Sequence, residues 1–399
     1  MSHPCRLLQR AVLQPRESNG YTTFCGVNSD GTRVAVGWDT GSERGVSTFI
    51  TRPSWPEGCR GTSWEEIPDL DLTATLDGEL NAIAMDADGM RIACGDSYNS
   101  RPTGAVFIYG FNYNMDAIDL EAIITPLSGS ADEYFGAACC FSQSRGRLYV
   151  GAPGYNNDAG AVYIFDKAGE AWIQTARITL PGTEALGTAV AINLDETLLA
   201  IGAQESDYFT GRAYLLAKVG GVFQRRDTIQ AGDYAGAFGS GIALSPNGKR
   251  LYVGAPHWGD TEARQGIIVT LDDVNGTWTP SSEQIRSAPW AWENLGLNLA
   301  LAHLGGTLVA GLQATALVYD ARQYAVTGQV LDDNGLPAER RLSLHDGLSC
   351  EVVDVDLSST ADGSFMLAVR RDVPHFIVCH DDHDGVTFNH LITGGVIPL

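Results

Sequence analysis

Six segments of the chain end alike, in an apolar run closed by glycine: Val34-Ala-Val-Gly37, Ile92-Ala-Cys-Gly95, Leu148-Tyr-Val-Gly151, Leu199-Ala-Ile-Gly202, Leu251-Tyr-Val-Gly254 and Leu308-Val-Ala-Gly311. The glycines lie 58, 56, 51, 52 and 57 residues apart. So even a period marks a repeat architecture, in which each unit buries its apolar face only by stacking on its neighbours. Around each glycine the order recurs. A small apolar strand such as Phe238-Gly-Ser-Gly-Ile-Ala-Leu-Ser245 meets a tight turn such as Pro246-Asn-Gly-Lys249, and the glycine-closed strand follows. A variable loop then leads to a third strand such as Gly160-Ala-Val-Tyr-Ile-Phe165, and a glycine turn to a fourth such as Trp172-Ile-Gln-Thr-Ala-Arg-Ile178. Four short antiparallel strands per roughly 55 residues make one propeller blade.

The last unit stops near Val318-Tyr-Asp320 and lacks a fourth strand. The N-terminal Leu7-Leu-Gln-Arg-Ala-Val12 is patterned like the fourth strands Ile173–Ile178 and Phe223–Ile229. Placed beside the last unit, it would complete a sixth blade and leave no open ring edge. The expectation is an all-β, six-bladed propeller over residues 1–322, closed by an N-terminal strand. From about Tyr324 the repeat breaks. Val326-Thr-Gly-Gln-Val-Leu331, the turn Asp332-Asp-Asn-Gly335, Leu342-Ser-Leu344, Ala361–Ala368 and Phe376-Ile-Val-Cys379 continue an all-β pattern and predict a small β-sandwich over 323–399. With 399 residues the chain is long for a single core, and its 46 glycines and 19% charged residues suit many short strands joined by tight turns.

Phe135-Gly136 and Phe238-Gly239, with Gly151-Ala-Pro153 and Gly254-Ala-Pro256 behind them, resemble the FG-GAP repeats of the integrin α-subunit propeller and of its bacterial and phage relatives. The resemblance covers residues 7 to about 322. The integrin propeller has seven blades; six are countable here, with seven as the alternative. Thr327-Gly-Gln-Val, then Asp332-Asp-Asn-Gly-Leu-Pro-Ala338, then Asp362-Gly-Ser-Phe365 resemble the transthyretin-like module of carboxypeptidase regulatory domains, a non-catalytic accessory. The close, Asp381-Asp-His-Asp-Gly385 with Phe388-Asn-His-Leu-Ile392 and Val396-Ile-Pro398, resembles the C-terminal end of many phage tail-associated proteins.

The net charge of −22, from 26 basic and 48 acidic residues, disfavours nucleic acid and anionic lipid as direct partners. No run of 18 apolar residues occurs, so no membrane insertion is expected, and the N-terminus carries no secretory pattern. Cys5, Cys25, Cys59, Cys94, Cys139, Cys140, Cys350 and Cys379 form no CxxC pair and are expected to be free; Cys139 and Cys140 would point to opposite faces of one strand. Integrin-type calcium turns need Asp-x-Asp-x-Asp-Gly, and the equivalents here (Ser29-Asp-Gly31, Asp86-Ala-Asp-Gly89, Ser144-Arg-Gly146, Asp195-Glu196, Pro246-Asn-Gly248) never supply three carboxylates. The tail cluster His375, His380, Asp381, Asp382, His383, Asp384 and His390 reads as a solvated turn before a metal site. No cofactor or metal is expected. Without a Gly-x-Ser-x-Gly elbow, a His-Glu-x-x-His pair or a phosphate loop, the chain does not read as an enzyme.

Recognition has more support. The loops between second and third strands contain Trp38, Tyr98, Tyr155 with Asn156, Tyr208 with Phe209, and His257 with Trp258; the loops leading into the next blade contain Tyr134, Tyr234, Trp290 and Trp292. Both classes share one propeller face. Exposed rings there are typical of a binding surface, against the alternative that they tuck between blades. The combined expectation is a non-enzymatic virion protein of a phage tail, baseplate or fibre. It would be assembled in the host cytoplasm beside other virion proteins, as a homo-oligomer or singly, and would meet a host-surface glycan or protein. The alternative is a bacterial or archaeal cell-surface adhesin. Which domain docks and which is displayed is open.

Overall fold

The computed structural model describes residues 8–13, 22–40, 42–52, 63–73, 75–76, 78–98, 103–112, 117–129, 132–142, 146–259, 266–286, 294–302, 306–312 and 315–320, and six strands between 324 and 392. The chain divides into two units, one of them Leu7–Arg52 with Trp64–Asp320. That unit is an all-β propeller of six four-stranded sheets. Five blades are contiguous in sequence, spanning 22–71, 80–124, 138–178, 190–230 and 242–286, with their strands paired in chain order. The sixth takes Asn298–Leu301, Thr307–Leu312 and Thr315–Asp320 and is completed by Leu8–Leu13. The N-terminal strand runs antiparallel to Thr315–Asp320, with Leu13 opposite Ala316 and Leu8 opposite Asp320. The first strand of every blade touches that of the next, and the sixth touches the first. The ring therefore closes at six.

Each apolar core belongs to two neighbouring blades. One cluster joins Phe24, Ala35, Val46 and Leu70 of the first blade to Ile83, Ile92, Cys94 and Phe107 of the second. Another joins Leu13, Ala316 and Val318 of the sixth to Val34, Val36 and Phe49 of the first, so the closing strand carries core as well as hydrogen bonds. The second strands are buried on both sides, which is why Leu148-Tyr-Val-Gly-Ala152 and Leu251-Tyr-Val-Gly-Ala255 read as unbroken apolar runs.

Glycine is required where blades meet. A Cβ on Gly151 would overlap the carbonyl oxygen of Gly187 in the next blade, while the Gly187 N–H donates to the Gly202 carbonyl at 2.9 Å. The same overlap pairs Gly95 with Gly136, Gly202 with Gly239 and Gly254 with Gly296. The glycine of each Phe-Gly or Leu-Gly pair thus wedges between two second strands, one in its own blade and one in the blade before. The junction of the first and second blades lacks that pair and uses carboxylates: Asp39 accepts the Leu80 N–H at 3.0 Å and Asp96 the Gly78 N–H at 3.1 Å.

The hairpin turns opposite the variable loops repeat one device. The side-chain oxygens of Asn28, Asp86, Asn193 and Ser245 accept the backbone N–H five residues on, from Arg33, Arg91, Leu198 and Arg250, at 2.8–2.9 Å. The turn oxygens are therefore committed to the backbone. Among the described residues no three His, Cys, Asp or Glu side chains gather as metal ligands.

The second unit is described by its strands alone. Tyr324–Gln329 pairs with Ser364–Val369, and Val352–Leu357, Arg341–Asp346, His375–Asp381 and Phe388–Ile392 form a four-stranded sheet in that order. The side chains of the tail cluster lie outside the described residues.

Two outcomes test this packing. Gly151→Ala should cost more than about 3 kcal/mol in chemical denaturation, because the neighbour it meets is backbone. Gly169→Ala, in an open hairpin turn at φ +63, should cost about 1 kcal/mol. The second concerns Asp86, which is 1% exposed. Burial raises its pKa from 3.8 to about 6, and its neighbour Asp88 adds to the rise. The folded state therefore favours the protonated acid. That contribution is complete below about 3.8 and is lost as pH rises through about 6. Asp86→Asn should keep the turn, as Asn28 and Asn193 do. It should remove this slope, leaving the variant more stable than the parent at pH 7 by on the order of 2 kcal/mol in thermal or urea unfolding.

Candidate binding site at the channel mouth

The loops of one face are tied together by backbone. In the second to fifth blades the loop between the second and third strands bridges in parallel to the segment leading into the next blade, at Gly104 with Phe135, Gly160 with Leu186, Gly211 with Phe238 and Gly266 with Leu295. Hydrogen bonds reinforce the stitching: Gly154 N–H to the Glu133 carbonyl at 3.1 Å, Ala185 to Asp158 at 2.6 Å, and Ala237 to Phe209 at 2.8 Å. Held this way, the loops take costly conformations. Of the eleven described non-glycine residues with positive φ, nine lie in these loops: Asp132, Tyr134, Asn156, Asn157, Asp158, Ala185, Phe209, Ala237 and Asn294. Such strain costs on the order of 1 kcal/mol or more per residue and concentrates at functional sites. Asparagine is the side chain that tolerates it best, which accounts for Asn156-Asn157.

The six first strands surround a channel of about 570 Å³. Its walls are small side chains such as Gly26, Ala82, Ala138, Ala189 and Gly241, and one end is apolar, with Met85, Phe141, Ile192, Leu244 and Leu301. The other end opens on the strained loops. There Asn81, Ser97, Thr188, Gln204 and Ser240 supply amides and hydroxyls, Asp158 and Glu205 carboxylates, and Tyr98 and Tyr134 aromatic rings. The two tyrosines stack with centroids 4.8 Å apart at 37°. Tyr98 stays 56% exposed. Its phenol pKa is raised, first by partial burial and then by Tyr134, Glu79 and Glu205. The Glu205 carboxyl is raised by partial burial and by the nearby charges of Asp158 and Glu184.

The other aromatic residues singled out from the sequence divide. Trp38 is buried, at 7% exposure. Tyr155 lies under the Arg177 guanidinium at 4.3 Å and edge-on to Tyr163, whose hydroxyl donates to the buried Glu133 at 2.9 Å. Trp258 donates its indole N–H to the Asp233 carbonyl at 3.1 Å, and with Tyr234 it packs on the core of the fourth and fifth blades. Phe209, His257 and Asn156 are exposed on the loops. The side chain of Tyr208, and Trp290 and Trp292 altogether, lie outside the described residues.

Asp158, Gln204 and Glu205 were not singled out by pattern. The signal for Gln204 lies in the repeat: where two other blades read Gly-Ala-Pro, the fourth reads Gly202-Ala-Gln-Glu205, which puts polar side chains at the channel rim.

Cys25, Cys139 and Cys140 line the channel, and with Cys94 they are free thiols. Burial raises all four, Cys25 to about 12 and Cys140 to about 11, far from the thiolate range that reacts at neutral pH. Iodoacetamide at pH 8 should leave all four unmodified in the native protein and modify them in urea, as read by peptide mass spectrometry.

No family model matches the chain, and no curated protein matches it. Among solved structures, a Bacteroides uniformis protein provisionally named a 6-phosphogluconolactonase is similar at 13% identity and a TM-score of 0.49, over 88% of this chain and 90% of that one.

Proposed function

We propose that the protein is a non-enzymatic recognition module that binds its partner at the channel mouth. The observation that carries this reading is the coincidence of three features at one end of one channel: the strained loops, a stacked tyrosine pair of which Tyr98 is exposed, and carboxylates without an ion-pair partner among the described residues. Tyrosine pairs offer large contact area with few torsions to freeze. Among the described residues at the mouth, the Ser97 and Ser240 hydroxyls bond to the Asn81 and Gln204 amides and not to a carboxylate or imidazole base. Asp158 and Glu205 sit among amides and hydroxyls, a set suited to holding a ligand by hydrogen bonds and charge.

The biological setting we propose is a phage particle. It rests on the resemblance of the propeller repeats to FG-GAP units and of residues 381–398 to the ends of tail-associated proteins. A tail, baseplate or fibre component needs the two capacities the chain offers, one unit for docking and one for display. Gradient-purified particles from the source strain, analysed by quantitative mass spectrometry, should contain the protein at fixed stoichiometry to tail proteins. Its absence from particles and presence on intact cells would replace this setting with that of a cell-surface adhesin.

A further inference from the structure

The channel mouth is acidic without a compensating cation. Asp158 and Glu205 line it, and Glu184 and Glu79 stand close enough to act on Glu205 and Tyr98 respectively. On the opposite face of this propeller, less exposed carboxylates are paired: Asp166 and Glu196 hold Arg147 at 2.6 Å each, Asp272 holds Arg250 at 2.6 Å, and Asp273 holds Lys249 at 2.9 Å. Asp158, Glu184, Glu205 and Glu79 have no ion-pair partner among the described residues. The described residues that line the channel include no Lys, Arg or His. Uncompensated like charges held together by rigid loops repel one another, and a cation arriving from outside relieves that repulsion.

The rest of the mouth narrows the kind of cation. Two tyrosine rings favour an organic ammonium over a bare metal ion, through the negative face of the ring. The hydroxyls of Ser97 and Ser240, which donate to Asn81 Oδ1 at 2.7 Å and to Gln204 Oε1 at 2.8 Å, keep their lone pairs for its N–H groups. Below, the channel runs along five residues of strand, about 16 Å, between alanine and glycine walls, and ends among Met85, Phe141, Ile192, Leu244 and Leu301. A volume of about 570 Å³ over that length admits a slender stem and excludes a bulky one.

Resting on the recognition reading above, we infer that the channel mouth binds a protonated amine carried on a slender, extended stem. The ammonium is held by Asp158 and Glu205 against the Tyr98–Tyr134 pair, with the stem directed into the channel. Anionic ligands are repelled, and a neutral ligand of the same shape leaves the carboxylates without a counter-charge.

The test is calorimetric titration of the full chain with cadaverine in 150 mM salt, beside its neutral counterpart 1,5-pentanediol. Cadaverine should bind at one saturable site and the diol should not. Glu205→Gln and Asp158→Asn should each weaken binding about tenfold, as expected when a charged hydrogen-bond partner is lost. Glu170→Gln, which removes an exposed carboxylate in the hairpin at 168–171, should leave binding unchanged. Thermal unfolding of each variant verifies that it is folded. Equal binding of the diol, or equal weakening by Glu170→Gln, would overturn the inference, since the first shows that charge is not read and the second that attraction to the net charge suffices. Failure of cadaverine to bind also overturns it. If a neutral glycan then binds and Tyr98→Ala abolishes that binding, the recognition reading stands with a different ligand class.

Discussion

The propeller depends on a contact that only glycine can make. At four junctions the second strand of one blade lies directly against the carbonyl of the glycine that leads into the next, with no room for a Cβ between them. This contact sets how closely neighbouring blades approach, and through that how the shared apolar clusters fill. Between the first two blades Asp39 and Asp96 do the equivalent work with side-chain hydrogen bonds. Between the sixth and the first, the Cys25 N–H donates to Asn298 Oδ1 at 3.0 Å, and Leu13 of the closing strand shares a core with Val34 and Phe49 of the first blade. Three devices thus serve the six junctions, and together they close the ring.

A ring fixed from its second strands outward leaves the loops of one face partly exposed, at Tyr98, Phe209 and Glu205 among others. They are tied by backbone bridges at Gly104, Gly160, Gly211 and Gly266, which is enough to hold nine non-glycine residues in left-handed conformations. The same rigidity keeps Asp158 and Glu205 together despite their repulsion. The opposite face carries short turns whose polar atoms satisfy their own backbone, and ion pairs such as Arg147 with Asp166 and Glu196. One face is thus spent on stability, and the other holds unspent charge and exposed rings.

The repeat was legible because its cause is local and recurs. Glycine at the end of an apolar run is demanded by the same backbone contact in blade after blade, so the period and the closing strand could be read from residues alone. The mouth was harder to read, for physical reasons. A ring in a loop is equally consistent with display and with packing. Tyr98 lies in the loop after strand Arg91–Asp96 and faces solvent, whereas Trp38 lies inside strand Arg33–Asp39 and is buried against Gly45. Tyr155 is engaged by Arg177 from a strand some twenty residues on, a pairing no local pattern announces. Asp158 and Glu205 come from different blades and meet only because the ring curves.

Native-state hydrogen exchange on the full chain, resolved by strand, tests most directly the claim that a closed six-bladed ring supports a rigid mouth. The account predicts that amides of Leu8–Leu13 and of the sixth blade exchange at the same slow, globally limited rate as those of the third and fourth blades. The bridged amides of Gly160, Gly211 and Gly266 should also be protected well above the level of free loops. Exchange in the N-terminal strand and sixth blade that is faster by orders of magnitude would mean that the ring is open, and the account of both fold and site would fail together.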